Sequence, residues 1–220
     1  MMRKHWWKAL AVLIMSFVLV AGFIGPVPRL PILNESIRNV YFHVPLWFGM
    51  VIMLLTSAVY SVRYLRRGRP DDDLIAVEFA NTSIVFGILG CLTGSTWATV
   101  TWGEPWPNDP KLNGAAVGML LYFAYLILRG SFDDEQRRAR ISAVYNVFAF
   151  SVFIPLIFVL PRLTDSLHPG NGGNPAFGQY NMSWQMRPIF YIGVIGFTLL
   201  GVWITELRVR MRRVRAVLED

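Results

Sequence analysis

Two of the three histidines in this chain, His43 and His168, border apolar stretches on what the charge pattern makes one side of a membrane. Neutral imidazole is a common ligand for transition metals and for haem iron. His5 lies in a basic tail without an evident partner. His43 sits in RNVYFHVPLW, where Pro45 suits a first helical turn because it lacks the N–H that would be unpaired there. Trp47 is one turn further on and shares its face. A lone interfacial histidine usually serves hydrogen bonding, but a pair on one side makes ligation an equal reading. Two histidines do not close a structural zinc site, which takes four protein ligands. Asp109, Asp165 and Glu104 in the outer loops keep zinc open. Two axial nitrogens suit a haem, whose porphyrin fills the other positions. The single cysteine, Cys91, allows no disulfide within the chain. The lack of C-x-x-C-H excludes covalent haem attachment to this chain.

Tryptophan gathers on the same side. Of eight, Trp47, Trp97, Trp102, Trp106 and Trp184 fall at or near the outer face. Trp6, Trp7 and Trp203 fit an aromatic belt at headgroup level. Trp102 and Trp106 lie among Gly103, Pro105, Pro107 and Pro110, which constrain the backbone. A rigid loop of flat apolar side chains can bind a large flat ligand. Belt and ligand platform are both consistent with these residues. Arg38, five residues before His43, and Lys111, five after Trp106, are placed to pair with ligand carboxylates. Arg162 and Arg187 read instead as snorkelling charges. Glu78 and Asn81 carry no assignment.

The elements that must position these residues are transmembrane helices. The chain is 54% hydrophobic and 16% charged, against about 25% charged in an ordinary soluble domain. Six stretches approach the roughly 20 apolar residues that span a bilayer: Trp6–Ile24, Val40–Val62, Leu74–Val100, Leu112–Leu128, Ile141–Leu160 and Ile189–Ile204. The first is read as a retained helix, since no small-residue cleavage site follows it. The expected fold is all-α, a single six-helix membrane domain over residues 1–220. Outer loops are expected at Gly25–Asn39, at 93–114 with the tryptophans, and at 161–188 with the second histidine. Orientation follows from lysine and arginine, which favour cytoplasmic segments. Of 21 such residues, all but Arg29, Arg38, Lys111, Arg162 and Arg187 flank the termini and the second and fourth connections. Both termini are therefore expected in the cytoplasm. The net charge of +7 is a topology signal, and its dispersal beside membrane spans argues against nucleic-acid binding. No nucleotide-binding glycine motif and no hydrolase arrangement is visible.

The run WGEPWPNDPKL resembles the tryptophan-rich (WWD) haem-handling motif of the cytochrome c maturation proteins, roughly W-G-x-W-W-x-W-D-x-R-L. Trp102, Gly103, Trp106, Asp109 and Leu112 match; Pro105 and Asn108 stand where tryptophan is frequent, and Lys111 where arginine is. TGS followed by Trp97, RNVYFHVP and LHPG resemble further family segments. Length and layout are similar to the haem exporter C branch (CcmC). The resemblance implies non-covalent haem b at the outer face of a bacterial inner membrane, with His43 and His168 as axial ligands. The loop from Trp97 to Asp109 would cover the porphyrin. Haem would pass to a periplasmic haem chaperone. A small single-helix membrane subunit and an ATP-binding-cassette complex would be the other partners, the latter supplying energy this chain has no motif to extract. The chain would be a delivery component, not an enzyme. A membrane b-type cytochrome would also use two histidines, but its electron path across a bilayer usually wants haems at both depths. A small-molecule transporter would place polar residues and broken helices at the midplane; Pro155 is the one strong helix breaker well inside a span.

Overall fold

The computed structural model describes residues 5–169 and 182–219. They form α1 (Trp6–Ile24), a 3₁₀ helix (Asn34–Tyr41), α2 (His43–Arg67), α3 (Pro70–Trp102), α4 (Pro110–Gly130), α5 (Glu135–Ile154), a π-helical turn (Pro155–Val159), α6 (Leu160–Leu163) and α7 (Met186–Glu219). No strand occurs among the described residues. The six expected spans are present as six helical stretches long and apolar enough to cross a membrane. The first matches its expected bounds; the others run further, because the termini carry their own start and stop signals. α3 begins on Pro70 with Asp71, Asp72 and Asp73 in its first turn, where carboxylates complement the helix dipole. Its 33 residues measure about 50 Å at 1.5 Å per residue. That exceeds a hydrocarbon layer of about 30 Å, so α3 is longer than a span requires. Pro155 produces a π-helical turn rather than a stop, and the helix continues to Leu163.

α2 is the central helix, packed against α3, α5 and α7. The main core joins Met50, Met53 and Leu54 of α2 to Phe86, Tyr122 and Phe153. Within it Asn146 donates to Ser57 Oγ (2.7 Å) and Ser61 Oγ (2.9 Å), and Ser57 Oγ donates to Ala76 C=O (2.6 Å). Such side-chain bonds tie helices together where apolar burial gives no preference over lipid. The outward faces carry large apolar residues, Leu13, Phe23, Leu92 and Ile127 among them.

The two ends of the bundle differ in chemistry. One end is ionic. Lys8 pairs with Glu206 (2.9 Å), Arg63 with Asp72 (3.1 Å), Arg129 with Asp73 (2.6 Å) and Arg213 with Asp71 (2.6 Å). Glu78, left unassigned by sequence, is 1% exposed and accepts from Arg208 Nε (2.6 Å) and Arg212 Nε (3.1 Å), which staples α7 to α3. The other end holds His43, His168 and most of the tryptophans.

The buried Glu78 carboxylate gives a first prediction. Glu78→Gln removes the charge that gathers two guanidinia. Removing such a partner costs about 1–3 kcal/mol, toward the lower bound because both arginines are about half exposed. The expected outcome is a lower thermal midpoint for the detergent-purified protein, with the far-ultraviolet helix signal unchanged at low temperature.

Candidate functional site

The site begins where α2 meets α3. His43 opens α2, and its Nδ1 lies 3.0 Å from Thr93 Oγ1. The Thr93 hydroxyl donates back to Leu89 C=O at 2.8 Å, the usual bond for a helical threonine. Oγ1 is then the acceptor for His43 Nδ1–H, and Nε2 keeps its lone pair. The ring meets Trp97 edge-on at 6.0 Å and Trp47 at 6.4 Å. Room for it comes from two glycines one turn apart on α3. A Cβ on Gly94 would stand 2.8 Å from His43 Cε1, and one on Gly90 would stand 2.7 Å from the Trp47 indole.

α3 carries Trp97, Thr101 and Trp102 outward and then stops at Gly103. That residue takes φ +87°, with its N–H bonded to Thr99 C=O at 3.1 Å. Only glycine adopts this left-handed position without strain. Helix therefore covers most of the expected tryptophan loop, and the connection proper is residues 103–109. Asp109 caps α4, accepting from the N–H groups of Lys111 (2.9 Å) and Leu112 (3.2 Å), and Pro110 fills the first helical position. Asn113 donates to Asn108 (2.8 Å) and accepts from Trp106 Nε1 (3.4 Å), which holds the loop on α4.

Asp109 reaches a third segment as well. Its Oδ2 accepts from Ser166 Oγ (2.8 Å) and Leu167 N–H (2.7 Å), and its Oδ1 lies 2.9 Å from His168 Nδ1. An ionised carboxylate only accepts, so Nδ1 carries a proton; in the neutral ring His168 Nε2 keeps its lone pair, with no partner among the described residues. Trp102 packs edge-on to the His168 ring at 5.0 Å. Burial, the largest influence on Asp109, would raise its pKa; the bonds from His168, Leu167 and Ser166 outweigh it and hold the carboxyl well below its ordinary range.

These pieces enclose one apolar cleft of about 270 Å³. His43, Trp47, Trp97, Trp102, Trp106, Lys111 and His168 all line it, over a floor that includes Leu112, Ala115, Ile157 and Phe158. Of the ten residues expected to hold the ligand, three lie outside the lining. Gly103 is the stop of α3. Asp109 is 1% exposed and spends its oxygens on backbone, Ser166 and His168. Arg38 donates to Glu35 (2.7 Å) and to Gly22 and Gly25 C=O (3.1 and 2.6 Å), capping the end of α1. Lys111 is thus the cation at the cleft. Trp97 Nε1 and Thr101 Oγ1, both in the lining, are buried with no hydrogen-bond partner among the described residues. Among those residues no three His, Cys, Asp or Glu side chains converge as a metal site. Two free Nε2 atoms on apolar, aromatic walls fit a planar ligand that brings its own four equatorial donors. Sequence reasoning passed over Gly90, Thr93 and Ser166 as functional residues. The small-residue spacing Gly90-x-x-x-Gly94 was the available signal for the first.

The fold and this cleft define an all-helical protein with six stretches long and apolar enough to cross a membrane, and with an apolar, tryptophan-walled cleft bearing two histidines at one end. Residues 2–219 match the family described as heme exporter protein C, and the chain belongs to it. It is 27% identical to heme exporter protein C of Escherichia coli K12, over 93% of this chain and 81% of that protein. It is 27% identical to that of Bradyrhizobium diazoefficiens, over 84% and 71%. A ccmC-like mitochondrial protein of Marchantia polymorpha, described for cytochrome c biosynthesis, is 25% identical over 77% and 71%.

Two predictions follow from the packing. Gly94→Val drives a side chain into the His43 ring. Overpacking of this kind costs about 1–3 kcal/mol, and a lowered thermal midpoint checks it. Asp109, held below its unfolded value, stabilises the fold above an unfolded pKa of about 4 and loses that contribution as pH falls toward the folded value. The difference in thermal midpoint between wild type and Asp109→Asn should be steady from neutral pH to about 5 and close below about 4.

Proposed function

We propose that this chain presents haem b at the periplasmic face of a bacterial inner membrane and delivers it to a periplasmic haem chaperone for cytochrome c maturation. His43 and His168 are the axial ligands. Trp47, Trp97, Trp102 and Trp106 wall the porphyrin, and Lys111 pairs with a propionate. Asp109 acts through His168, Gly103 by ending α3 beneath the tryptophan loop, and Arg38 by fixing the approach to His43. The chain is a delivery component, not an enzyme; a small single-helix membrane subunit and an ATP-binding-cassette complex are its membrane partners. The observation that carries this is the convergence of two histidines, each with Nε2 free, on one tryptophan-walled cleft. The relatives named heme exporter protein C support haem as the cargo. The arginine-rich ends support termini in the cytoplasm, with the cleft on the opposite side.

Absorption spectra of purified protein, oxidised and dithionite-reduced, test the site. Wild type should show a low-spin b-type spectrum that weakens or changes spin state in both His43→Ala and His168→Ala. Protein free of haem from a haem-replete host, or identical spectra in all three, would overturn the assignment. Orientation has its own test, in a Cys91→Ser background. A membrane-impermeant thiol reagent on spheroplasts should label Glu104→Cys and spare Ser131→Cys until lysis; the reverse pattern would invert the topology.

A further inference from the structure

The two cleft histidines have different supports. His168 Nδ1 faces the Asp109 carboxylate at 2.9 Å, and His43 Nδ1 faces the Thr93 hydroxyl at 3.0 Å. A carboxylate behind an imidazole fixes its tautomer and raises the basicity of the nitrogen that meets the metal. A hydroxyl carries no charge, and a neutral acceptor is roughly half as strong a partner as an ionised one. The anchoring differs as well. Asp109 is itself held by Lys111 N–H, Leu112 N–H, Ser166 Oγ and Leu167 N–H, so its oxygens are fixed before any ligand arrives. Thr93 Oγ1 is shared with Leu89 C=O and Gly90 C=O, its helix's own carbonyls, at 2.8 and 3.2 Å.

We propose that the two histidines are unequal ligands: His168, backed by the Asp109 carboxylate, keeps hold of the haem iron, and His43, backed only by neutral groups, the Thr93 hydroxyl and the Gly90 carbonyl, is the bond that opens when haem leaves. This rests on the haem reading above. In that step the iron–Nε2 bond to His43 breaks and its electron pair stays on the imidazole. No proton or electron is exchanged, and one coordination position is freed for a donor from the acceptor. His43 cannot follow the iron, because its ring is confined by Trp47, Trp97 and Gly94. The haem therefore moves off His43 while still attached to the segment that Asp109 holds. Asp109 is a positioning residue in this scheme, since it reaches the iron only through His168.

The test uses full-length protein purified with haem, in four single variants and one double variant. His43→Gly should retain haem as a five-coordinate species and return to six-coordinate on addition of imidazole. His168→Gly should retain markedly less. Asp109→Asn should weaken haem retention on the order of 10–100-fold, the usual effect of losing such a support, and should raise the midpoint potential; Thr93→Val should shift both far less. In ferrous His43→Gly the iron–histidine stretch should be high, and adding Asp109→Asn should lower it. That frequency reports the support behind the ligand and does not respond to a loss of stability alone. Equal retention by the two glycine variants, greater retention by His168→Gly, or a stretch unmoved by Asp109→Asn would overturn the proposal while leaving the haem-delivery reading intact. Wild-type protein without haem would overturn both. The glycine variants leave Asp109 untouched, so they decide the matter even where Asp109→Asn does not accumulate.

Discussion

The cleft-bearing half of this molecule depends on one buried carboxylate. An ion removed from water costs several kcal/mol unless its lone pairs are filled, and a carboxylate has about four sites to fill. Asp109 receives five donors from three places: the first turn of α4, the Ser166–Leu167 segment and the His168 ring. None of the three can move without leaving charge uncompensated. The capping aspartate of α4, an ordinary device for starting a helix, has become the joint at which the tryptophan loop and the second histidine are held together. Because its oxygens are consumed in this way, Asp109 shapes the cleft without lining it.

The first histidine is placed by a different means. Glycines at 90 and 94 let α2 and α3 approach closely enough for His43 and Trp47 to lie against bare backbone. Side chains there would close the cleft from within. α3 then runs on to Trp102 and carries Trp97, Thr101 and Trp102 to this end of the bundle, where Gly103 turns the chain back. Cleft geometry on this side thus follows from helix length, two missing side chains and one left-handed residue. At the opposite end ion pairs take over. Glu78, Asp71, Asp72 and Asp73 draw in arginines from α2, α4 and α7. A bundle stapled at that end can keep a cleft at the other without losing its register.

Much of this was legible in the chain because membranes leave few options. Unpaired backbone in lipid is so costly that apolar runs of this length must be helices, which is why all six spans could be located. The two histidines and four of the outer tryptophans could be grouped because charge put them on one side and pattern put them near helix ends. Helix limits were less visible: the span expected at Leu74–Val100 overlapped a loop expected from residue 93, and α3 runs as helix from Pro70 to Trp102, since a helix already begun keeps its hydrogen bonds past the apolar run. Roles were the least visible. Arg38 has the right charge and position for a carboxylate ligand, yet it satisfies the end carbonyls of α1, which sequence spacing does not reveal. Asp109 matched a motif, but only folding shows that it meets His168, a residue 59 positions away. The Gly90-x-x-x-Gly94 spacing signals a close helix approach but not what fills it, and no local pattern announces that Thr93 meets His43.

A carrier faces a constraint that a resident haem protein does not, because tight binding works against delivery. Two equally strong axial bonds would leave no preferred way out, and breaking both at once would require their full cost together. Unequal supports change that. A ligand held by a fixed carboxylate and one held by a shared hydroxyl divide the release into a weaker bond followed by a stronger one, so the cargo stays tethered after the first has opened. The surroundings suit such a sequence. The cleft lies at the rim of the bundle, its walls are aromatic faces that contribute area without many directional bonds, and Lys111 is the cation in its lining. The unpartnered Trp97 Nε1 and Thr101 Oγ1 add polar atoms on the α3 wall, the side from which His43 is supported. On the proposed reading, the helix that gives His43 its neutral support also carries the two unpartnered polar atoms of the cleft wall.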